Sequence, residues 1–127
     1  MAYERNRVRR LGQLERRVMD VLWDSSTSPM SGRDVADSLP DRAYTTVLTV
    51  LERLRRKDFV HRITQGRVHY FSAADSREAY VAQLMIDAMG AAGNRQAVLA
   101  RFAESVSHDE AQALSQALRA ALQDRSK

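Results

Sequence analysis

Cysteine is missing from this sequence of 127 residues. Without cysteine the chain can have no disulfide, no thiolate metal site and no cysteine nucleophile. Long apolar runs are missing as well, since no stretch approaches the roughly 20 residues needed to span a bilayer. The basic N-terminus, MAYERNRVRR, is not followed by the apolar segment of an export signal, so we expect a cytoplasmic protein.

The motifs of common catalytic sites are also missing. The sequence contains no glycine-rich phosphate loop, no nucleophile elbow and no metal motif. His61 and His69 could face each other across a hairpin, but without an acid or thiol at ligand spacing they fit ordinary strand positions better than a zinc site. We therefore expect neither an enzyme nor a bound cofactor or metal.

The positive charge of the chain is concentrated in its first part. Residues 1–72 contain 14 Lys and Arg against 9 Asp and Glu, a net charge of +5, whereas residues 73–127 contain 6 against 7, a net charge of −1. This asymmetry indicates that the first part binds an anionic partner and that the second part has a different role.

Three helices are predicted before residue 58. LGQLERRVMDVLW, residues 11–23, repeats apolar residues at spacings of three and four. Ser31 can cap a second helix, with Asp34 three residues later, and Pro40 ends it. AYTTVLTVLERLRRK, residues 43–57, forms the third helix.

The remaining chain divides into a hairpin and further helices. FVHRI and RVHYF, residues 59–63 and 67–71, are β-prone runs, and Gly66 supplies the positive φ of a tight turn. The later helices are predicted to open at Asp75, at Asn94 and at Ser107, with Gly90–Gly93 as a break. This order predicts a mainly α (α+β) fold, a winged helix-turn-helix followed by a C-terminal helical region. We expect residues 1–10 to form a basic arm, residues 11–74 the DNA-binding domain and residues 75–127 the dimerisation domain.

The third helix has two different faces. With each residue taken as a step of about 100°, its apolar residues form one stripe between roughly 140° and 260°. The stripe consists of Val50, Leu54, Val47, Leu51 and Tyr44. The opposite face, called here the polar face, consists of Thr45, Thr46, Thr49, Arg53 and Arg56. A winged helix presents this helix to the DNA major groove, so the polar face is interpreted as a DNA-reading surface rather than a solvated one.

Hydroxyls and methyl groups suit the edges of A·T pairs. Thr45, Thr46 and Thr49 can donate or accept hydrogen bonds and can contact the thymine methyl group, whereas Arg53 could take a guanine or a phosphate. Further residues are predicted to contact phosphate or the minor groove. They belong to the arm, to the helix starts, to the third helix and to the wing, which is the predicted hairpin of residues 59–71. They are Arg9, Arg10, Ser31, Arg33, Arg42, Tyr44, Arg56, Arg62 and Arg67. For Arg56 a purely structural role at the helix C-terminus is an equal alternative.

Apolar residues in the C-terminal part predict an interface between two copies of the chain. Leu114, Leu118 and Leu122 repeat every four residues, and burying such side chains contributes about 1.5–3 kcal/mol each. The complete predicted set is Leu84, Met85, Met89, Leu99, Phe102, Leu114, Leu118 and Leu122.

Three segments resemble the BlaI/MecI/CopY group of bacterial penicillinase-type repressors. They are LGQLERRVMDVLW at 11–23, AYTTVLTVLERLRRKDFV at 43–60 and GRVHYFSA at 66–73. The resemblance implies a homodimer whose winged helices bind an inverted-repeat operator in double-stranded DNA. It also implies, as one branch of the family has it, relief of repression when a membrane sensor protease cleaves an Asn-Phe bond in the dimerisation region.

The sequence departs from the family pattern at two points. It has no cysteine, which excludes a copper switch built on thiolates. Arg101 stands before Phe102 where the β-lactam-responsive branch has asparagine, so the candidate cleavage site is Arg101–Phe102. A winged-helix protein-interaction module without specific DNA binding is the alternative function, because fold alone does not fix function.

Overall fold

The structure, a computed structural model, describes residues 10–26 and 28–126. The chain divides into two compact units, one ending at Asp87 and the other beginning at Ala88. Arg9 lies outside the described residues. Among those described, no helix combines the length and apolarity that crossing a bilayer requires.

The first unit has the element order of a winged helix. It contains α1 (Gln13–Asp24), β1 (Met30–Ser31), α2 (Gly32–Asp37), α3 (Tyr44–Arg56), β2 (Val60–Gln65), β3 (Val68–Ala73) and most of α4 (Arg77–Gly90). The second unit contains the end of α4, α5 (Arg95–Ser105) and α6 (His108–Ser126). The predicted order of three helices, hairpin and three helices is confirmed.

The hydrophobic core lies in the first unit, where the inner faces of α1, α2 and α3 meet the sheet. Val18, Val35 and Leu51 are completely buried at the contact of the three helices, and Val60 and Phe71 add the sheet to the same core. A continuous core of this kind fixes the outward orientation of the opposite face of α3.

The sheet has one strand more than the sequence predicted. β3 lies between β1 and β2, and both neighbours are antiparallel to it. β1 is only two residues long, too short to show a periodic pattern in sequence. Each hairpin strand begins one residue later and ends two residues later than predicted, and Gly66 turns between them with φ +62°. His61 pairs with Ser72 and His69 pairs with Thr64, so the two imidazoles do not face each other, and both occupy strand positions as preferred from the sequence.

Side-chain caps begin several helices where the sequence placed them. Ser31 and Asp34 form a capping box at α2, Asn94 accepts the amide of Ala97 at α5, and Ser107 pairs reciprocally with Glu110 at α6. The predicted start of α4 was wrong by one residue. Ser76, not Asp75, caps α4 by accepting the amide of Ala79 at 3.1 Å.

Candidate DNA interface

The polar face of α3 is exposed and its apolar stripe is buried. Thr45, Thr46, Thr49 and Arg53 are all exposed. The stripe residues Val47, Val50, Leu51 and Leu54 are at most 3% exposed. Because four buried residues hold one side of a 13-residue helix, the opposite side chains project from a fixed surface.

Tyr44 was predicted to belong to the buried stripe, and this prediction was wrong. It is 38% exposed, at the first position of α3, where the helix has not yet entered the core. The guanidinium of Arg33, on α2, lies 4.1 Å from the centre of the Tyr44 ring. This cation–π contact holds two of the predicted phosphate-contacting residues side by side.

Thr49 and Arg53 differ in their freedom to bond a ligand. The Thr49 hydroxyl donates to the Thr45 carbonyl at 2.9 Å, so it offers an external partner its methyl group and a lone pair. Within residues 10–26 and 28–126, no carboxylate forms a salt bridge with Arg53. Its guanidinium is therefore available to an external anion.

The wing contributes two arginines of different character. Arg67 lies in the turn between β2 and β3, is exposed, and has no salt bridge within the described part of the chain. Arg62, on β2, donates to the Glu52 carboxylate of α3 at 3.2 Å. The structure thus brings Arg62 to α3 and leaves Arg67 at the far end of the hairpin.

Glu52 also contacts arginines of its own helix. Arg55 donates to it through Nε at 3.0 Å and through Nη2, and Arg56 Nε lies 3.9 Å away. The Arg55 hydrogen bonds are the main reason that the pKa of Glu52 is lowered from its ordinary value. Glu52 therefore stays ionised at neutral pH.

The turn that leads into α3 has its own ion pair. Arg17, on α1, donates two hydrogen bonds of 2.9 Å to the two oxygens of Asp41. These bonds lower the pKa of Asp41 to about 2. Arg42 lies 3.8 Å from the same carboxylate and is half exposed, so its side chain retains access to an external anion.

The remaining predicted phosphate contacts have varied surroundings. The Ser31 hydroxyl already accepts the Asp34 amide at 3.1 Å, although its own proton remains available. Arg10 is exposed at the beginning of the described chain, and Arg56 has an exposed side chain.

The predicted interface residues are only partly covered in a single chain. In the first unit Leu84 is half-buried and Met85 exposed, and in the second Met89 is half-buried. The others are between 37% and 60% exposed: Leu99, Phe102, Leu114, Leu118 and Leu122. No residue of α5 or α6 is buried. Arg101–Phe102 lies inside α5 rather than in a loop.

Trp23 joins α1 to the beginning of α4 and packs against the core of the first unit. Its ring lies 5.7 Å from that of Tyr80 on α4, and its indole N–H donates to the Asp75 carbonyl at 2.9 Å. Arg77 of α4 also binds Asp24 of α1 at 2.7 Å. The beginning of α4 is thereby attached to α1.

Comparisons with known proteins agree with this architecture. The family model described as penicillinase repressor matches residues 11–120. The transcriptional regulator BlaI of Mycobacterium tuberculosis is 49% identical over 115 residues, which cover 86% of this chain and 83% of the relative.

Solved structures with a similar fold are distant in sequence. A mutant of S. aureus MepR bound to an oligodeoxyribonucleotide has a TM-score of 0.52 and 18% identity, covering 97% of this chain and 86% of that one. MepR, a transcription regulator of the Staphylococcus aureus multidrug efflux pump MepA, has a TM-score of 0.50 and 16% identity, covering 97% and 91%. At these identities the likeness supports the winged-helix fold alone.

Proposed function

Because this chain belongs to the penicillinase repressor family, we propose that it represses transcription as a homodimer bound to an inverted-repeat operator. The observation that carries the proposal is the polar face of α3, exposed while the other side of the helix is locked into the core. In a winged helix this is the element that enters the major groove.

The groups on that face match the chemistry of base edges. The methyl groups and hydroxyls of Thr45 and Thr46 suit thymine methyl groups and the acceptors and donors of A·T pairs, and Thr49 adds its methyl group and an accepting lone pair. Arg53 lies deeper along the helix and binds a guanine edge or a phosphate. Ser31, Arg33, Tyr44 and Arg67 fix the orientation of this face by phosphate contacts, which carry no sequence information themselves.

An apolar surface on the C-terminal helices supports the homodimer. Leu118 and Leu122 are each at least half exposed in one chain, and two copies bury such residues by a two-fold interface. The symmetry then places two α3 helices in successive major grooves, about 34–36 Å apart. Residues 75–127 act as the dimerisation region in this proposal, and residues 11–74 read DNA.

Cleavage at Arg101–Phe102 by a membrane sensor protease is the proposed route of relief. Arg101 and Phe102 are exposed, but their peptide bond lies within α5. Proteases cleave extended, accessible chain, so α5 has to open locally before cleavage. Dimer loss would then separate the two DNA-reading faces.

Selection from genomic DNA tests the function directly. The full chain is incubated with sheared DNA of the source organism, the bound fragments are sequenced, and binding is measured against a scrambled duplex of equal length. We expect fragments with a shared inverted repeat, bound in a salt-dependent manner. Equal affinity for selected and scrambled duplexes, or no binding, would favour a protein-interaction module instead.

A further inference from the structure

Glu52 is the only acid in α3, and it is bonded to arginines of two different elements. It accepts hydrogen bonds from Arg55 within the helix and from Arg62 on the wing, and Arg56 is within 3.9 Å. Its side chain is 30% exposed. One partly shielded carboxylate is therefore shared by three guanidinium groups.

The position of Glu52 places it on the proposed DNA interface. On the helical projection it lies roughly 20° from Thr45, on the side away from Arg53. Arg62 pairs across the ladder with Phe71, which is buried. Cross-strand partners point to the same side of a sheet, so Arg62 projects toward the body of the unit, where Glu52 meets it.

A carboxylate at this place has two opposing effects on DNA binding. It repels phosphate and partly neutralises three cations, and this lowers affinity for any duplex. It also holds Arg62 in one position, so less side-chain entropy is lost when Arg62 contacts DNA in the specific complex. The first effect applies to every sequence, whereas the second applies only where the wing is docked in register.

We propose that Glu52 is a specificity-determining residue of the DNA interface, an inference that rests on the proposed function. It positions Arg62 of the wing against α3 and suppresses binding to arbitrary duplexes. The discrimination between operator and other DNA then depends on an acid inside a basic surface, not only on the groups that touch bases.

Glu52→Gln tests the proposal because it keeps the side-chain size and removes the charge. Affinities of the full chain for the selected operator and for a scrambled duplex are measured by fluorescence anisotropy at several salt concentrations. We expect the variant to bind the scrambled duplex about tenfold more tightly, with a salt slope steeper by about one ion, and the operator less than about threefold more tightly.

The matched control is Glu104→Gln on α5, which changes net charge equally at an exposed residue outside α3. If this variant shifts both affinities as Glu52→Gln does, net charge alone acts and the proposal is overturned. Unchanged binding of both duplexes by Glu52→Gln also overturns it. Absence of any operator preference in the unsubstituted protein would instead remove the proposed function itself.

The positioning of Arg62 is tested by a double-mutant cycle. Arg62→Ala is combined with Glu52→Gln, and the ratio of operator to scrambled affinity is measured for all four proteins. We expect the fall in this ratio caused by Glu52→Gln to shrink in the Arg62→Ala background. An equal fall in both backgrounds would show that Glu52 does not act through Arg62.

Discussion

The ammonium group of Lys57 lies 2.9 Å from the carboxylate of Glu15, and this ion pair joins the end of α3 to the first turn of α1. Glu15 is only 4% exposed, and it also accepts the Gly12 amide at 2.7 Å. Burial by itself would raise the pKa of Glu15. The Gly12 hydrogen bond, Lys57 and the charge of Arg53 together outweigh burial, and the pKa is lowered.

Removing the Lys57 cation should destabilise the fold. Lys57→Met leaves the Glu15 carboxylate buried without its counter-ion, and we expect unfolding free energy to fall by about 1–3 kcal/mol at pH 7. Arg56→Met is the matched control, since its side chain is 76% exposed and its loss should cost less than about 0.5 kcal/mol. Equal losses in urea denaturation would contradict a special role of Glu15–Lys57.

The same pair gives a pH dependence. The pKa of Glu15 is lower in the folded protein than its ordinary value of 4.5. Its stabilisation is therefore fully present above pH 4.5 and is lost as pH falls through the folded pKa. The difference in unfolding free energy between the unsubstituted protein and Lys57→Met should therefore shrink as pH falls below 4.5. A difference that stays constant with pH would contradict this account.

Asp41 should titrate with a pKa of about 2, well below its ordinary 3.8, because of its two hydrogen bonds from Arg17. Its stabilisation is present above pH 3.8 and is lost as pH falls through about 2. Carbon-detected NMR titration should show the pKa returning toward 3.8 in Arg17→Ala and unchanged in Arg119→Ala. If the pKa of Asp41 stayed at about 2 in Arg17→Ala, groups other than Arg17 would hold the carboxylate ionised.

Gly32 and Leu48 set the spacing between α2 and α3. A Cβ added at Gly32 would lie 2.5 Å from a Leu48 methyl group, so Gly32→Ala should cost about 1–2 kcal/mol despite its gain in helix propensity. The cost should vanish in a Leu48→Ala background, where the methyl group is absent. Equal costs in both backgrounds, measured by thermal unfolding, would place the strain elsewhere.

Dimer formation should depend on the exposed leucines of α6. Leu118→Glu introduces a charge into the proposed interface, and we expect sedimentation to show a monomer with helix content retained. Gln116→Glu adds the same charge two residues away, on another side of the helix, and should leave the dimer intact. A dimer that survives Leu118→Glu would place the interface elsewhere.

The sequence was sufficient wherever a repeating pattern or a local partner determined the structure. Val47, Val50, Leu51 and Leu54 show the helical period, and all four are buried as predicted. The caps at Ser31, Asn94 and Ser107 involve residues at most three positions apart. The prediction that Tyr44 is buried was wrong because Tyr44 occupies the first position of the helix, where the helical period alone does not decide burial.

Contacts between distant segments could not be predicted in the same way. β1 is recognised only by its pairing of Met30 with Phe71, 41 residues later. Trp23 meets Tyr80, 57 residues on, and no local pattern signals that contact. Glu15 lies three residues after Gly12, a spacing that predicts a hydrogen bond from the Gly12 amide but not the burial of the carboxylate. No local pattern signals that burial or the partner Lys57.

The central claim, that the polar face of α3 contacts DNA, is tested most directly with Arg53→Ala and the selected operator. We predict that affinity falls about tenfold and that the salt slope decreases by about one ion, while Arg119→Ala on α6 leaves both unchanged. Unchanged affinity and slope for Arg53→Ala, in a protein with unaltered thermal stability, would contradict the account.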